Sequence, residues 1–266
     1  MDPFKNPMEI FKLLDKSNCR KCNKPTCLAF AVAVFQGQKR LDECPQLDRK
    51  IIEKHGQVAV KQKSSEQMQD ESIEHLKRKI TTIDLHLSAQ RLGASFSDKK
   101  LTIKCLGKDF SVDNKGNIFT DIHVHSWIAV PVLNYIITGA GAPVSGTWVP
   151  FRELEGGKTW YRLFAQRCEK PLKKVADTYT DLFEDMIHLF NGRQVEKHYT
   201  SDISLVLHPL PKVPILICYW KPEDDLESDL NIFFDSKVEE NLNIESIYTL
   251  ATGLVMMFEK LALRHG

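Results

Sequence analysis

Four of the seven cysteines in the chain lie within 26 residues of one another near the N-terminus. Cys19, Cys22, Cys27 and Cys44 follow the pattern C-x2-C-x4-C-x16-C, and Pro45 follows the last of them. A structural zinc site usually has two close cysteine pairs, and a thioredoxin-like redox pair needs a βαβ surround that is missing here. Three near cysteines with a remote fourth are typical of an iron–sulfur cluster. The spacing therefore favours a cluster, with zinc and unliganded thiols as the alternatives.

The elements around this motif have to hold negatively charged sulfur atoms. Cys27 begins the apolar run CLAFAVAVF, for which we predict a helix with Thr26 as its N-cap. The N–H groups at the start of that helix would point toward the sulfurs. The neighbouring Arg20, Lys21 and Lys24 would offset part of the same charge. The sequence thus predicts a loop and a helix N-terminus wrapped around the cysteines.

A second candidate metal site is the segment DIHVH, which contains Asp121, His123 and His125. On a β-strand the two imidazoles would face the same side, as in metal-binding H-x-H pairs. No third ligand lies nearby in the sequence, so we favour a strand end or loop with partly exposed imidazoles. A second metal at His123 and His125 stays open as the weaker hypothesis.

The three remaining cysteines occur singly. Cys105 and Cys218 lie in apolar strand patterns, which predict inert buried thiols. Cys168 lies beside Arg167 and Lys170, whose charges would lower its pKa, but no base can be assigned to make it a nucleophile.

Aromatic residues and glycines cluster in the middle of the chain, where they suggest either a platform for a flat ligand or ordinary core packing and turns. We favour core packing. Arg152 and Arg162 would be available to bind a carboxylate or phosphate, although exposed arginines are common. The aromatic residues are Trp127, Trp148, Phe151, Trp160 and Tyr161.

Charge and hydropathy exclude several classes of function. The chain has 36 Lys and Arg against 35 Asp and Glu, so we expect no nucleic-acid binding. The first 60 residues carry a net charge of +4 and the remainder −3. We expect no signal peptide and no membrane span, the longest apolar candidate being WIAVPVLNYIITGAGAPV, which prolines interrupt. Reduced cysteines and no signal indicate a cytoplasmic protein.

The chain divides by composition into a cysteine-bearing unit at 1–58, a linker at 59–72 and a larger domain at 73–266. The linker contains the polar run KQKSSEQMQDES. The larger domain begins with a predicted helix over about 71–92 that ends at Gly93, followed by the strands LTIKCLG, DFSVD and NIFTD.

A mainly helical stretch at about 127–191 comes next, then the strands DISLVLHPL, VPILICYW and DLNIFFD and a final helix. The unbroken apolar character of VPILICYW predicts a central strand. Blocks of helices and strands predict an α+β fold: a small helical iron–sulfur domain followed by a mixed domain with an antiparallel or mixed sheet and flanking helices.

The segment 9–48 resembles the small four-cysteine [4Fe-4S] domain found in the large subunit of the corrinoid iron–sulfur protein and in the B subunit of Rnf-type complexes. The shared positions are Asn18-Cys19, Cys22, Pro25-Thr26-Cys27, Ala29-Phe30 and Cys44-Pro45. This resemblance implies one [4Fe-4S] cluster on Cys19, Cys22, Cys27 and Cys44.

The stretches GTWVPFRELEGGKTW and LPKVPILICYW resemble an uncharacterised family of anaerobe proteins, which implies anaerobic metabolism but no activity.

No dinucleotide-binding, P-loop or nucleophile-elbow motif occurs, so function is inferred from the cluster. The first hypothesis is an electron-transfer or reductive-activation accessory protein, whose partner is a redox protein such as ferredoxin or a corrinoid or other anaerobic enzyme. The second is a redox enzyme whose C-terminal domain binds its own substrate or a corrinoid or tetrapyrrole cofactor. The third is a cluster with a structural or sensing role.

Overall fold

The computed structural model describes residues 4, 6–55, 65–179, 181–224 and 226–265. It divides into two compact units, Met1–Met68 (unit 1) and Gln69–Gly266 (unit 2). The predicted linker at 59–72 lies partly outside the described residues. Its last part differs from the prediction, since residues 65–72 belong to a helix.

Unit 1 is built from short helices around a small core. Helix α1 (Pro7–Leu13) packs against α2 (Cys27–Phe35), a 3-10 turn spans Leu41–Glu43, and α3 covers Arg49–His55. Asn6 caps α1, its side chain accepting the backbone N–H of Glu9. The core consists of Ile10, Leu14, Phe30, Ala31, Val34, Leu41 and Leu47 together with Cys22, Cys27 and Cys44.

Most of helix α4 (Ser65–Ile80) and all of α5 (Leu85–Leu92) belong to unit 2. We predicted one helix here, but the chain turns at residues 81–84. The side chain of Asp84 accepts the N–H groups of His86 and Leu87 and so starts a second helix, a capping signal that apolar periodicity does not register. Gly93 ends α5 in the left-handed conformation, as predicted.

The first sheet of unit 2 is an antiparallel meander in the order β1-β2-β3-β4. Its strands are β1 (Ser95–Ser97), β2 (Lys100–Cys105), β3 (Lys108–Asp113) and β4 (Ile118–Thr120). Strands β2 to β4 confirm the three strands predicted here. Asp113 closes the turn between β3 and β4, because its carboxylate accepts the backbone N–H groups of Lys115 and Asn117.

The second sheet is also antiparallel and has the order β5-β9-β8-β7-β6. Strand β8 is central, as predicted, and every residue in it except the last is buried. Its side chains alternate between the main core and a smaller cluster on the other face of the sheet. The strands are β5 (Trp148–Pro150), β6 (Arg193–Gln194), β7 (Ile203–Leu210), β8 (Val213–Trp220) and β9 (Asp229–Asp235).

Helices cover the main-core face of the second sheet. Helix α11 packs against α6 and α8, and the end of β2 reaches β7, where the N–H of Leu106 donates to the carbonyl of Pro209 (3.3 Å). The helices are α6 (Ser126–Thr138), α7 (Gly157–Phe164), α8 (Lys170–Thr178), α9 (Leu182–Phe190), α10 (Val238–Asn241) and α11 (Ile244–His265). One turn of π-helix, Ala165–Glu169, joins α7 to α8 and is called the π-turn below. The α+β prediction is confirmed.

One helix among the described residues, Ile244–Arg264 within α11, is long and apolar enough to cross a membrane by length and composition. The sequence expectation overlooked it and named the 127–144 region, where α6 is only 13 residues long and contains Pro131. Within unit 2, 44% of the apolar stretch of α11 that meets these criteria is buried. A core helix meets the same two criteria.

Candidate metal centre

All four cysteines of the N-terminal motif line one pocket in unit 1. Cys19 and Cys22 come from the loop between α1 and α2, Cys27 is the first residue of α2, and Cys44 follows the 3-10 turn. Residues that are 25 positions apart are thus brought to a common space by two short helices and a turn. The predicted convergence of these thiols is what the structure shows.

The loop that carries Cys19 and Cys22 has an unusual backbone. Lys16, Asn18 and Arg20 have φ values of 63°, 51° and 61°, in the left-handed region that few residues other than glycine adopt. Such left-handed residues turn a chain tightly and expose successive N–H groups on one side, forming a concavity that attracts anions. The conformation wraps the loop around the cysteine pocket, and surrounding contacts have to compensate for its cost.

Asn18 fastens this loop to the start of α2 through two hydrogen bonds. Its backbone N–H donates to Sγ of Cys27 (3.3 Å), and its side-chain Oδ1 accepts the backbone N–H of Cys27 (2.7 Å). An N–H donor to sulfur is the kind of contact that orients a cysteine as a metal ligand. The sequence predicts Asn18 only as a position shared with the family that the segment resembles; this role was not predicted, and its signal is the position of Asn18 directly before Cys19.

Helix α2 positions Cys27 as predicted. Thr26 is the N-cap, and its Oγ1 accepts the N–H of Ala29 (3.0 Å). Phe30 and Val34 follow Cys27 at helical spacing and are buried in the core of unit 1. The same face of the helix therefore supplies both a thiol and the packing that holds it in place.

The pocket has a buried floor and an exposed outer wall. Cys22, Cys27 and Cys44 are buried, whereas Cys19 is exposed. Burial raises the pKa of the Cys44 thiol, and the other three thiols raise it further because like charges would gather at short range. A positive centre among them would remove that repulsion.

Charged side chains lie at the rim of the pocket. Arg20 and Lys24 line it, together with Asp15, which the sequence analysis did not consider. Lys21, predicted to neutralise the site with them, is exposed and is not among the lining residues. Position in the loop, and not only proximity in sequence, decides which cation is near the sulfurs.

The donor set fits an iron–sulfur cluster. Four thiols are soft ligands of the kind that zinc and iron–sulfur centres select, and four cysteines are the usual ligand number for [2Fe-2S] and [4Fe-4S] clusters. Across the part of the chain that the structure describes, no three His, Cys, Asp or Glu side chains are grouped as ligands of a single metal ion. The four thiols instead surround a shared pocket.

The second candidate, His123 and His125, lies in a loop that leads into α6 and not on a strand. The strand premise of the H-x-H hypothesis is therefore wrong, and the loop interpretation is confirmed. The ring centroids are 6.0 Å apart. His125 is the N-cap of α6, where its Nδ1 accepts the N–H of Trp127 (3.3 Å).

The single cysteines of unit 2 are all buried. Burial raises the pKa of the Cys168 thiol to about 12, which contradicts the expectation that Arg167 and Lys170 would lower it. Its Sγ lies 3.4 Å from Oγ1 of Thr252. Burial likewise raises the pKa of Cys105 to about 12 and that of Cys218, in agreement with inert thiols.

The aromatic residues considered as a ligand platform are dispersed. Phe151 stacks on Phe164 in the core with ring centroids 4.1 Å apart, and Trp160 packs against Tyr248. Trp148 packs in the cluster on the other face of the second sheet. Core packing, the favoured interpretation, is confirmed for these rings. Arg152 lies over the ring of Tyr161 and Arg162 is exposed.

A buried carboxyl group in unit 2 was missed by the sequence analysis. Glu169 ends the π-turn and is only 7% exposed. Burial raises its pKa to about 7, although the N–H of Ile232 (3.5 Å from Oε1) and the charge of Arg152 act in the opposite direction. π-Turns occur often at functional positions, but no sequence signal marks this one.

Two family models match the chain in succession. Residues 14–46 match the family described as "Putative Fe-S cluster", which supports an iron–sulfur cofactor in unit 1. Residues 84–257, more than half of the chain, match the domain of unknown function DUF3786. The chain belongs to the DUF3786 family, with an iron–sulfur domain ahead of it.

Curated relatives match the N-terminal segment. The acetyl-CoA decarbonylase/synthase complex subunit gamma of Methanocaldococcus jannaschii is 44% identical over 48 residues, 18% of this chain and 10% of that protein. The corrinoid/iron-sulfur protein large subunit of Moorella thermoacetica is 53% identical over 38 residues, 14% and 8% of the two chains. The chain thus spans a tenth or less of these relatives. No solved structure matches it.

Proposed function

We propose that unit 1 holds one [4Fe-4S] cluster on Cys19, Cys22, Cys27 and Cys44, and that the protein exchanges single electrons with a partner enzyme or its cofactor in anaerobic metabolism. The observation that carries the proposal is the convergence of the four thiols on one pocket in a segment that matches an iron–sulfur family. Bound there, such a cluster would supply a one-electron redox couple.

The protein residues would serve this role in three ways. The thiolates hold the iron, and the N–H of Asn18 directed at Sγ of Cys27 favours the more negative, reduced state. Arg20 and Lys24 at the rim act in the same direction. Buried Cys22 and Cys27 keep water from part of the site.

The position of the pocket supports electron exchange over a purely structural role. Cys19 is exposed, and so is the loop from Asp15 to Asn23 apart from Cys22. A redox partner is able to approach this wall closely, whereas a cluster used only to hold a fold gains nothing from an exposed ligand. The net charge of +4 over the first 60 residues suits an acidic donor such as ferredoxin.

The relatives suggest the kind of partner. In these relatives the matching segment is part of a subunit of the acetyl-CoA decarbonylase/synthase complex and of the large subunit of a corrinoid/iron-sulfur protein. We propose by analogy that the partner is a corrinoid-dependent or related anaerobic enzyme. The DUF3786 domain would then recognise that enzyme or its cofactor.

Redox titration tests the proposal. Protein purified without oxygen should contain about four iron and four sulfide per chain. Stepwise dithionite addition should produce an electron paramagnetic resonance signal in unaltered protein and none in Cys22→Ser, with Cys105→Ala as the matched control that keeps the signal. A cluster that stays diamagnetic down to strongly reducing potentials would contradict electron transfer, and stoichiometric zinc in place of iron would contradict the cluster itself.

A further inference from the structure

Unit 2 contains an apolar cavity far along the chain from the cysteine motif. It has a volume of about 240 Å³ and lies between the end of β2, the loop before α6, the start of α6 and one side of α11. Pockets for drug-sized ligands span about 300–1,000 Å³, so this cavity suits a smaller molecule. The proposed function makes no use of it.

The walls of the cavity are hydrophobic and adaptable. Leu250 and Leu254 are buried on α11, and the half-buried Met257 lies beside them. Methionine side chains follow the shape of an apolar ligand and make favourable contacts with aromatic rings. The cavity therefore has an apolar interior, and one of its walls is flexible.

A glycine on α11 makes room for the aromatic wall. Trp127 packs directly on Gly253, where a Cβ atom would lie 2.6 Å from Cβ of Trp127. Any larger residue at 253 would push the indole out of place. Trp127 and Gly253 together form one side of the opening.

The polar groups at the opening are hydrogen-bond donors. Because Nδ1 of His125 accepts the N–H of Trp127, the neutral ring carries its proton on Nε2 and has a donor to offer. Burial first, and then His123 and Lys260, lower the pKa of His125, which keeps the ring neutral. Lys260 adds an exposed ammonium group. The described residues that line the cavity include no carboxylate.

This tautomer also bears on the metal hypothesis for the same pair. A neutral imidazole binds a metal through its unprotonated nitrogen, and in His125 that nitrogen already accepts the cap hydrogen bond. The cavity thus presents donors and positive charge to a ligand. A cation would meet the ammonium group of Lys260 and the Nε2–H of His125.

We propose that this cavity binds a small apolar carboxylate, with its hydrocarbon body between Trp127, Leu254 and Met257 and its carboxylate at Lys260 and Nε2 of His125. One ammonium and one imidazole N–H match the two oxygen atoms of a carboxylate. The apolar walls exclude a strongly hydrated anion such as free phosphate. This site is independent of the proposed electron transfer.

Binding is tested on the full chain with three probes that share one body and differ in head group: 4-phenylbutyrate, 4-phenylbutylamine and 4-phenylbutanol. Calorimetry at pH 7 should give one site for 4-phenylbutyrate, bound at least tenfold more tightly than the amine. Lys260→Met should weaken 4-phenylbutyrate about fivefold to tenfold, the effect of losing one charged hydrogen bond at an exposed rim, and leave the alcohol unchanged. His125→Asn keeps a capping side chain and should weaken the carboxylate several-fold.

Lys108→Met is the matched control, since this exposed lysine lines a different cavity of about 600 Å³ next to the first sheet. Affinity that falls with Lys108→Met and not with Lys260→Met would place the ligand in that other cavity and overturn the proposal. Equal affinity for all three probes, or no binding at millimolar concentration, would overturn it as well. Because these probes act on unit 2, loss of the cluster in Cys22→Ser should not change any of the results.

Discussion

The two units place their cysteines in different surroundings. In unit 1 the thiols converge on one pocket, one of them is exposed, and the other three are part of the small core. In unit 2 Cys105, Cys168 and Cys218 are buried singly among aliphatic and aromatic side chains. Thiols that share one pocket are able to ligate a metal centre together, whereas isolated thiols act as small hydrophobic residues.

This difference has a consequence for stability. Unit 1 has few buried residues, and the core of a domain of this size rarely supplies more than about 3–5 kcal/mol, so a bound metal would add much to its stability. Unit 2 has an extended core of apolar side chains that joins both sheets and most of its helices. We therefore expect unit 1 to depend on its metal and unit 2 to be indifferent to it.

The largest expected effect is the loss of the iron and of the folded structure of unit 1, with unit 2 unchanged. Cys22→Ser should lose all iron and leave residues 6–55 open to protease, since Cys22 belongs to both the pocket and the core. Unit 2 should melt as before, and tryptophan fluorescence reports on it selectively because all four tryptophans lie between residues 127 and 220. Iron analysis and peptide mapping check the first result. In the converse variant, Cys105→Ala, iron should stay and unit 2 should lose about 1 kcal/mol.

A pH effect should be confined to unit 2. The folded pKa of Glu169, about 7, lies above its usual value, so the folded state binds more protons than the unfolded state between those two values. Stability should fall as pH rises from about 4.5 to about 7, by up to about 3 kcal/mol. Glu169→Gln should remove this dependence and stabilise unit 2 at pH 8.

Denaturant titration at pH 5.5 and pH 8, followed by tryptophan fluorescence, measures this effect. Glu184→Gln on α9, an exposed position, is the control that keeps the wild-type pH dependence. If Glu169→Gln is no more stable than the parent at pH 8, the carboxyl group has a stronger partner than the contacts to Ile232 and Arg152 indicate.

A smaller effect tests how the loop that carries Cys19 and Cys22 contributes to the stability of unit 1. Asn18→Ala removes the acceptor for the N–H of Cys27. It also places alanine at a backbone position with φ 51°, in the left-handed region that alanine adopts less readily than asparagine. We expect a loss of about 2 kcal/mol, seen as a lower denaturant midpoint for the visible absorption of the cluster. Asn18→Gly keeps the backbone conformation and should lose only about half as much. Equal losses would show that the backbone conformation does not matter.

The smallest effect compares two neighbouring lysines. Lys24 lines the pocket and Lys21 does not, so Lys24→Glu should lower the reduction potential more than Lys21→Glu. One unit charge at close range in water contributes about 1 kcal/mol, or ~40 mV for one electron, so the two-unit change from Lys to Glu shifts the potential by at most ~80 mV, and salt reduces the shift. Anaerobic potentiometry at low and high salt gives both values. A larger shift for Lys21→Glu would contradict the loop geometry.

Features that depend on neighbouring residues were predictable. The spacing of Cys19, Cys22 and Cys27, the Thr26 cap and the Gly93 stop are set within a few residues, and the structure shows each of them as expected. The central position of β8 was predictable too, since a strand covered on both faces has to be apolar throughout. The break between α4 and α5 was missed because apolar periodicity does not register the cap at Asp84.

The amino-acid sequence by itself determined the thiol cluster, because its ligands lie on adjacent short elements and their chemistry is a property of residue type and spacing. Only the tertiary structure decided what surrounds the groups of unit 2. Glu169 is buried by strand β9, and the cavity joins the end of β2 at Cys105 to Lys260 on α11, more than 150 residues away. Burial, and with it the pKa and the tautomer of a side chain, depends on such distant neighbours, which no local pattern specifies.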